Sequence, residues 1–486
     1  MPAQQTPAEP TPARPTPARP TPAEPTPAES TSALRPVRAE LRATLSLAWP
    51  LALSFGGNQL LGLVDTAVAG RLGATAIAAT GLGASIYFAC SILAIGTLMA
   101  LDPVASQALG AGRTGRARQA LREAVRLAVV LAVPSTVALA LVHGPSLRAA
   151  GVDEATRVEV GAYLWARGPS IVALLVHVAQ RSYLQARHHA RPVLWGTIVA
   201  NLVNVPLSIL LAFGDRALVR AGLPAVGFDG WGVFGLGLAS TVVMVAQVAV
   251  LWVALRGLPA PEDAPPPTLA GVRSLLRVGW PIGLAHLFEG TTFVVATVLA
   301  GGFGAAVSGG HNVAIQLASF TFTLCYGLGA ATAVRVGHAV GRGDPAGTRR
   351  AGLVGVGTGV AIMACGATAF ALAPEGLARL VSSSPEVIAA AVPLLRIAAV
   401  FQIFDGLQAV ASGALRGAGD THGAMRLALV GHWVVGLPVA VALAFGLGWG
   451  ARGLWWGLTA GLAFAGLTML ARFAVVSRRT RALAEG

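Results

Sequence analysis

The chain has 486 residues, 55% of them hydrophobic and only 12% charged, with a mean hydropathy of +0.68, which excludes a soluble globular protein and points to a polytopic membrane protein. Its net charge of +14 would suit a nucleic-acid binder, but the basic residues, all arginine, crowd alternate helix ends, so the charge orients the chain in a bilayer. Cys90, Cys325 and Cys365 are isolated and offer neither a disulfide framework nor a metal site.

Residues 1–40 read as a disordered cytoplasmic tail, because from Thr6 to Ser30 near-copies of Thr-Pro-Ala-Glu/Arg-Pro bring proline every few residues without an apolar core. No short apolar stretch with a small-residue cleavage site precedes the first span, so the tail is not a signal peptide. About twelve windows of roughly 20 apolar residues follow, the length that crosses about 30 Å of hydrocarbon. Six, centred near Leu60, Ile92, Val133, Ala173, Val203 and Val245, form a first lobe over 41–256. A proline-rich, acidic cytoplasmic linker at 257–270 leads to six more near Phe293, Phe322, Val360, Val400, Val435 and Ala463, a second lobe over 271–477. A short cytoplasmic tail, 478–486, ends the chain. The arginine clusters fall at 113–126, 181–191, 256–277, 342–350, 416–426 and 472–481. The positive-inside rule then puts both termini in the cytoplasm of a cell's inner membrane. The expected fold class is an all-α polytopic membrane protein of twelve transmembrane helices in two pseudo-symmetric six-helix lobes.

The lobes are copies. Trp49-Pro50 recurs as Trp280-Pro281, Gly73 as Gly304, and Gly110 and Gly112 as Gly341 and Gly343, at a constant offset of 280 − 49 = 343 − 112 = 231. Later the echo slips by one, since Pro206 answers Pro438 and Leu211 answers Leu443. Such halves imply a pseudo-twofold body with a cavity between them. Pro50 and Pro281 remove an amide donor inside a helix and are candidate hinges beside that cavity.

Four carboxylates, Asp65, Asp102, Glu289 and Asp405, lie in or near apolar spans. Such groups face an interior cavity and act there, or pair with an arginine to pin helices. Asp102, close to an arginine-rich end, fits the pin. Asp65, Glu289 and Asp405 fit ion coupling. Asp65 has Arg71 near it in sequence. Aromatics flank the other two, with Phe288 beside Glu289 and Phe401 a turn before Asp405. A low dielectric there brings carboxylate titration toward neutrality, and the same oxygens, if the ion is Na⁺, make Glu289 and Asp405 its metal ligands. Candidate cavity amides are Asn58, Asn201, Asn204, Asn312 and Gln316, which serve equally as interhelical hydrogen bonds. His177, His286, His311 and His432 also fall in or near spans, and His286, three residues before Glu289 on one face, could relay a proton. No HExxH, paired-cysteine or GxSxG arrangement is present, so an enzyme is not expected.

The runs Gly62-Leu-Val-Asp-Thr-Ala-Val-Ala-Gly-Arg-Leu-Gly73, Ser106-Gln-Ala-Leu-Gly-Ala-Gly-Arg113, Val334-Arg-Val-Gly-His-Ala-Val-Gly341 and Phe404-Asp-Gly-Leu-Gln408 resemble the multidrug and toxic compound extrusion (MATE) family. The likeness runs from about Leu45 to Arg472, and Glu289 in the seventh helix resembles the NorM branch. The resemblance implies multidrug efflux: export of cationic, amphipathic organic compounds in exchange for H⁺ or Na⁺ by alternating access of two lobes, with no cofactor. The partners implied are small organic cations and the lipid bilayer, with no nucleic acid, and the chain is expected to be monomeric. Asp65, Glu289 and Asp405 match the family's acidic positions and Asn204 a polar one of the fifth helix. Two positions depart from it: Ser208 stands where a second asparagine is common, and Phe401 where a tyrosine is. The alternative is a flippase of the same superfamily for lipid-linked oligosaccharides, for which Arg335 is the best single residue.

Overall fold

The structure, a computed structural model, describes residues 27–220, 222, 224–259 and 264–479. The described residues are helical, with the helices joined by short turns. In chain order the spans are α1 (Pro27–Leu72), α2 (Ala74–Gly110, with a turn at Met99 and Ala100), α3 (Thr114–Ala149) and α4, a pair Glu154–Arg167 and Ser170–Ala186 bent by 49°. Then come α5 (Arg191–Phe213), α6 (Gly232–Arg256), α7 (Leu269–Gly301), α8 (Ala305–Gly341) and α9 (Pro345–Leu372). The last are α10 (Pro385–Gly417), α11 (Thr421–Gly446) and α12 (Ala451–Val476). Eleven helices are long and apolar enough to cross a bilayer, and the bent α4 makes the twelfth.

Local chemistry accounts for the ends. Thr268, Asp344, Ser384 and Asp420 each accept a backbone N–H of the helix they begin, satisfying donors the first turn leaves free. The expected tail boundary at residue 40 moves earlier, since α1 begins at Pro27. The threonine-proline repeat stops there, and only Pro36 interrupts the helix-forming Ala, Leu, Arg and Glu that follow. Residues 1–26 of that tail, 260–263 of the linker and 480–486 of the C-terminal tail lie outside the described residues. Helices α1 and α7 run unbroken through Pro50 and Pro281; the sharp break lies instead at Gly168-Pro169 of α4.

The 231-residue offset reappears as a spatial pseudo-twofold. A Cβ on Gly110 would lie 2.3 Å from the His338 carbonyl oxygen, and one on Gly341 would lie 2.1 Å from that of Gln107. Since 338 − 107 = 341 − 110 = 231, these two contacts are one contact seen from both lobes, as an isologous interface requires. Likewise Gly96 meets the Gly283 backbone and Gly327 that of Ala52, at 2.6 and 2.7 Å. The repeated glycines are therefore the points where α2 crosses α8 and α7, and α8 crosses α1, without room for a methyl group.

The one-residue slip also has a physical cause. His188 and Gly419, which share positive φ (59° and 84°), still stand 419 − 188 = 231 apart, whereas Pro206 and Pro438 stand 438 − 206 = 232 apart. The extra residue thus falls within α11, where Val430–Gly436 is π-helical while its counterpart α5 is regular. A π turn is how a helix absorbs one inserted residue.

Alanine at Gly341 or Gly110 should push α2 and α8 apart. We expect each to lower stability by about 1–3 kcal/mol, by similar amounts because the contacts are equivalent. Gly357→Ala, where a Cβ meets nothing within 4 Å, is the control, expected to be neutral or to stabilise by up to about 1 kcal/mol. Melting curves in detergent that fail to separate the three variants would contradict this.

Candidate functional site

A cavity of about 630 Å³ lies between the lobes, walled by α1, α2, α4, α7, α8 and α10. Phe55, Phe88, Phe293, Phe322, Tyr326 and Phe401 supply most of its surface character, with Gln59, Ser319 and Thr323 as neutral polar groups. Its charged or titratable lining is Arg181, His286, Glu289 and Asp405. Phe401 is held by edge-on contacts to Phe293 and Trp455, with ring centroids 6.1 and 5.3 Å apart, an arrangement that fixes an aromatic wall. The Arg181 guanidinium sits 4.8 Å from the Phe55 ring centroid.

Glu289 anchors a polar chain leading out of this cavity. Its Oε2 lies 3.8 Å from His286 Nδ1, and Arg416 Nη1 lies 3.3 Å from His286 Nε2. A guanidinium can only donate, so Nε2 accepts and Nδ1 carries the hydrogen that faces Glu289. A water-sized chamber lined by His286, Glu289, Gln408, Ser412, Arg416 and Thr421 adjoins the cavity toward the arginine-rich ends. His432, in the π turn, acts electrostatically on Glu289, and the neighbouring Trp433 indole donates to the Phe288 carbonyl at 3.1 Å. Asp405 and Glu289 act on each other as like charges.

The other expected positions divide. Asp65 is buried and outside the cavity lining; Ser240 Oγ donates to its Oδ2 at 2.8 Å, Asn204 Nδ2 lies 3.5 Å from Oδ1, and Arg167 Nη1 lies 3.6 Å from Oδ2. Ser208 supports Asn204 at 3.2 Å. Asn58 accepts from Gln247 at 3.1 Å, and Asn201 donates to the Gly57 carbonyl at 3.0 Å, so both stitch helices together within the first lobe. Asn312 and Gln316 are exposed on α8 and outside the cavity lining, and Phe288 is half-buried and also outside it. His311 is a satisfied core histidine between Thr297 and Trp455. Asp102 is buried under the influence of Arg181 and Arg416, in keeping with a pin.

Reading by sequence missed Arg167, Arg181, Glu40 and Glu123. The first two lie within α4, and an intramembrane arginine was a signal available beforehand. Glu40 and Glu123 are buried at the arginine-rich ends, where they bridge separate parts of the chain. Glu40 binds Arg335 bidentately at 2.8 and 2.8 Å, joining α1 to α8. Glu123 accepts from Arg116 at 2.8 Å and from the Thr268 backbone and hydroxyl at 3.1 Å, joining α3 to the start of α7. Gln107 donates to the Gly417 carbonyl at 2.9 Å, and His338 meets the Ala186 carbonyl at 2.8 Å and stacks on His188 with centroids 4.6 Å apart. Hydrogen bonds between the lobes thus cluster at the arginine-rich ends, and the lobes are latched together there.

Comparison with known proteins agrees with this geometry. The MatE family model matches residues 50–210 and 281–442, one stretch in each lobe. The chain is 37% identical over 452 residues to a probable multidrug resistance protein NorM of Deinococcus radiodurans, covering 91% of this chain and 97% of that one. It is 35% identical over 446 residues to the multidrug resistance protein NorM of Burkholderia vietnamiensis, covering 88% and 93%. Among solved structures, its fold is similar to that of the eukaryotic MATE transporter AtDTX14 (TM-score 0.79, 21% identity, 92% of this chain and 99% of that one). It is also similar to the Vibrio cholerae MATE transporter VcmN in the bent form (TM-score 0.80, 18% identity, 91% and 98%). With both lobes matched by one family model and NorM relatives aligned along nearly their whole length, the chain belongs to the multidrug and toxic compound extrusion family.

Proposed function

We propose that the protein exports cationic, amphipathic organic compounds in exchange for an inward-moving ion, with Glu289 and Asp405 holding cargo and ion by turns. The observation that carries this reading is the pair of carboxylates on the wall of an aromatic-lined, roughly drug-sized cavity between two pseudo-symmetric lobes. Aromatic faces attract an organic cation and carboxylates orient it. Two carboxylates in one low-dielectric cavity repel when both are ionised, so the pair is stabilised by either a proton or a cation. Competition for that charge is sufficient coupling: a proton bound from outside weakens the hold on the cargo, which leaves. With the arginine-rich ends cytoplasmic, the latched lobes leave the cavity facing outward, and the cycle requires the latch to open after the cargo departs.

The surroundings of Glu289 support H⁺ over Na⁺. Its near partners are imidazole and guanidinium groups, which repel a metal cation but pass a proton, and Phe401 brings no hydroxyl to Asp405. Small organic cations and the bilayer remain the partners of this reading. Arg335, the residue that would favour a phosphate-bearing lipid cargo, is held by Glu40 outside the cavity lining.

Inverted membrane vesicles loaded with ethidium test the proposal. A pH gradient is expected to drive accumulation, and a Na⁺ gradient alone is expected to give less than about a tenth of that rate. Accumulation by neither gradient would sink antiport as the function.

A further inference from the structure

We propose that Asp65 and Arg167 form a permanent charge pair beside the break in α4, a tethered cation that removes the first-lobe carboxylate from ion coupling. The inference rests on the antiport reading above and divides its labour: Glu289 and Asp405 couple, Asp65 pins. Its first support is the completeness of the site around Asp65. Oδ2 takes the Ser240 hydroxyl at 2.8 Å and faces Arg167 Nη1 at 3.6 Å, while Oδ1 faces the Asn204 amide at 3.5 Å. Four helices, α1, α4, α5 and α6, thus meet at one carboxylate.

The guanidinium is as fully housed. It bonds the Tyr163 hydroxyl, lies 3.3 Å from Ser240 Oγ, and sits 4.8 Å and 5.5 Å from the centroids of the Tyr87 and Tyr163 rings. Carboxylate plus aromatic faces is the recognition chemistry of an organic cation. Here it is filled from within the chain, and neither Asp65 nor Arg167 lines the central cavity.

Arginine stays charged at every physiological pH. A proton arriving on Asp65 would therefore strand a desolvated guanidinium, a costly state, whereas a proton arriving between Glu289 and Asp405 relieves repulsion. The two lobes differ in sign: at an offset of 231, Asp65 and Arg167 correspond to Ala296 and Ala398, both buried, so the second lobe lacks this pair.

Position gives the pair its purpose. Arg167 is the last residue of the first half of α4, directly before the break at Gly168-Pro169. On the other side of the break, the Ser170 hydroxyl meets the Tyr87 hydroxyl at 2.8 Å. Asp65 and Tyr87 therefore clamp the two ends of a broken span to α1 and α2, and fix its 49° bend.

The test compares purified Asp65→Asn, Arg167→Gln and the double variant, counting protons moved per ethidium in proteoliposomes. A lone carboxylate can neutralise itself by binding a proton; a lone guanidinium cannot. Asp65→Asn is thus expected to cut the yield of folded protein at least ~10-fold, and Arg167→Gln to cut it much less. The double variant should return yield and transport to within about threefold of wild type at an unchanged proton count. A folded double variant that moves fewer protons per ethidium overturns the proposal. Should the double variant not be recovered folded, Arg167→Gln decides: a freed Asp65 adds to the proton count if the proposal holds, and an unchanged count overturns it. Failure of the antiport reading would show separately, as a wild type that exports no ethidium under either gradient.

Discussion

Replacing Glu289 by Gln is expected to reduce gradient-driven ethidium export at least ~100-fold while leaving the protein folded. The change is nearly isosteric, and the side chain is only partly buried at the join of the cavity and the water-sized chamber, so packing is kept. What is lost is the one acceptor that faces both His286 and the cavity. A charge-assisted contact to a cation is worth about 1.5–3 kcal/mol, or roughly 10- to 150-fold in affinity. Removing the exchangeable site removes coupling as well. Asp405→Asn should share the loss of binding, since the two carboxylates face the same cargo, but it keeps the Glu289–His286–Arg416 chain. Ethidium affinity by fluorescence, measured beside transport, separates the effects: Glu289→Gln should lose transport by a larger factor than binding, and Asp405→Asn should lose the two more evenly. Normal export by both variants would remove the carboxylate mechanism.

Breaking the latch should shift the conformational equilibrium instead. In Glu40→Gln, Arg335 keeps its charge at the lobe junction, with its side chain only 21% exposed, and loses a bidentate partner. Removing one member of a buried pair costs about 3–5 kcal/mol; with Arg335 partly wet, about 2–3 kcal/mol is the reasonable share. The pair joins α1 of one lobe to α8 of the other, so the penalty falls on the latched state and vanishes once the lobes part. The expected result is a roughly 30- to 150-fold shift toward the form open at the arginine-rich ends. Spin labels at Thr114 and Ala346, in a background lacking Cys90, Cys325 and Cys365, should report a longer mean distance in Glu40→Gln. Adding Arg335→Met should restore the wild-type distance; an unchanged distance in Glu40→Gln would show that the pair does not hold the latch.

Much of this architecture was readable before any fold was known. Spans were legible because apolar length is a local, additive property, and the duplication because glycines at helix crossings tolerate no substitute. Gly110 and Gly341 lie one against each lobe's carbonyl, so the same offset that marks them in the sequence marks the twofold. Even the slip from 231 to 232 was visible, although its meaning, a π turn in α11, required the backbone. Glu289, Asp405, His286 and Phe401 were placed in the cavity on chemistry alone, and the structure puts all four on its wall.

Partnership was a different matter. Asp65 had Arg71 as its nearest arginine in sequence, but Arg167, on another helix, lies beside it in space. Asn58, Asn201 and Phe288 shared helices with cavity residues yet turn elsewhere. In a soluble protein the hydrophobic stripe of a helix tells which side faces inward. In a membrane helix the lipid-facing and protein-facing sides are both apolar, so that signal fades and rotation about the helix axis is left to packing. The sequence by itself determined that this chain spans a bilayer twelve times in two copied lobes and carries its chemistry on a few carboxylates. Which carboxylates meet the cavity, and which is held by an arginine, was decided only when the helices crossed, because those contacts depend on azimuth and proximity that no local pattern encodes.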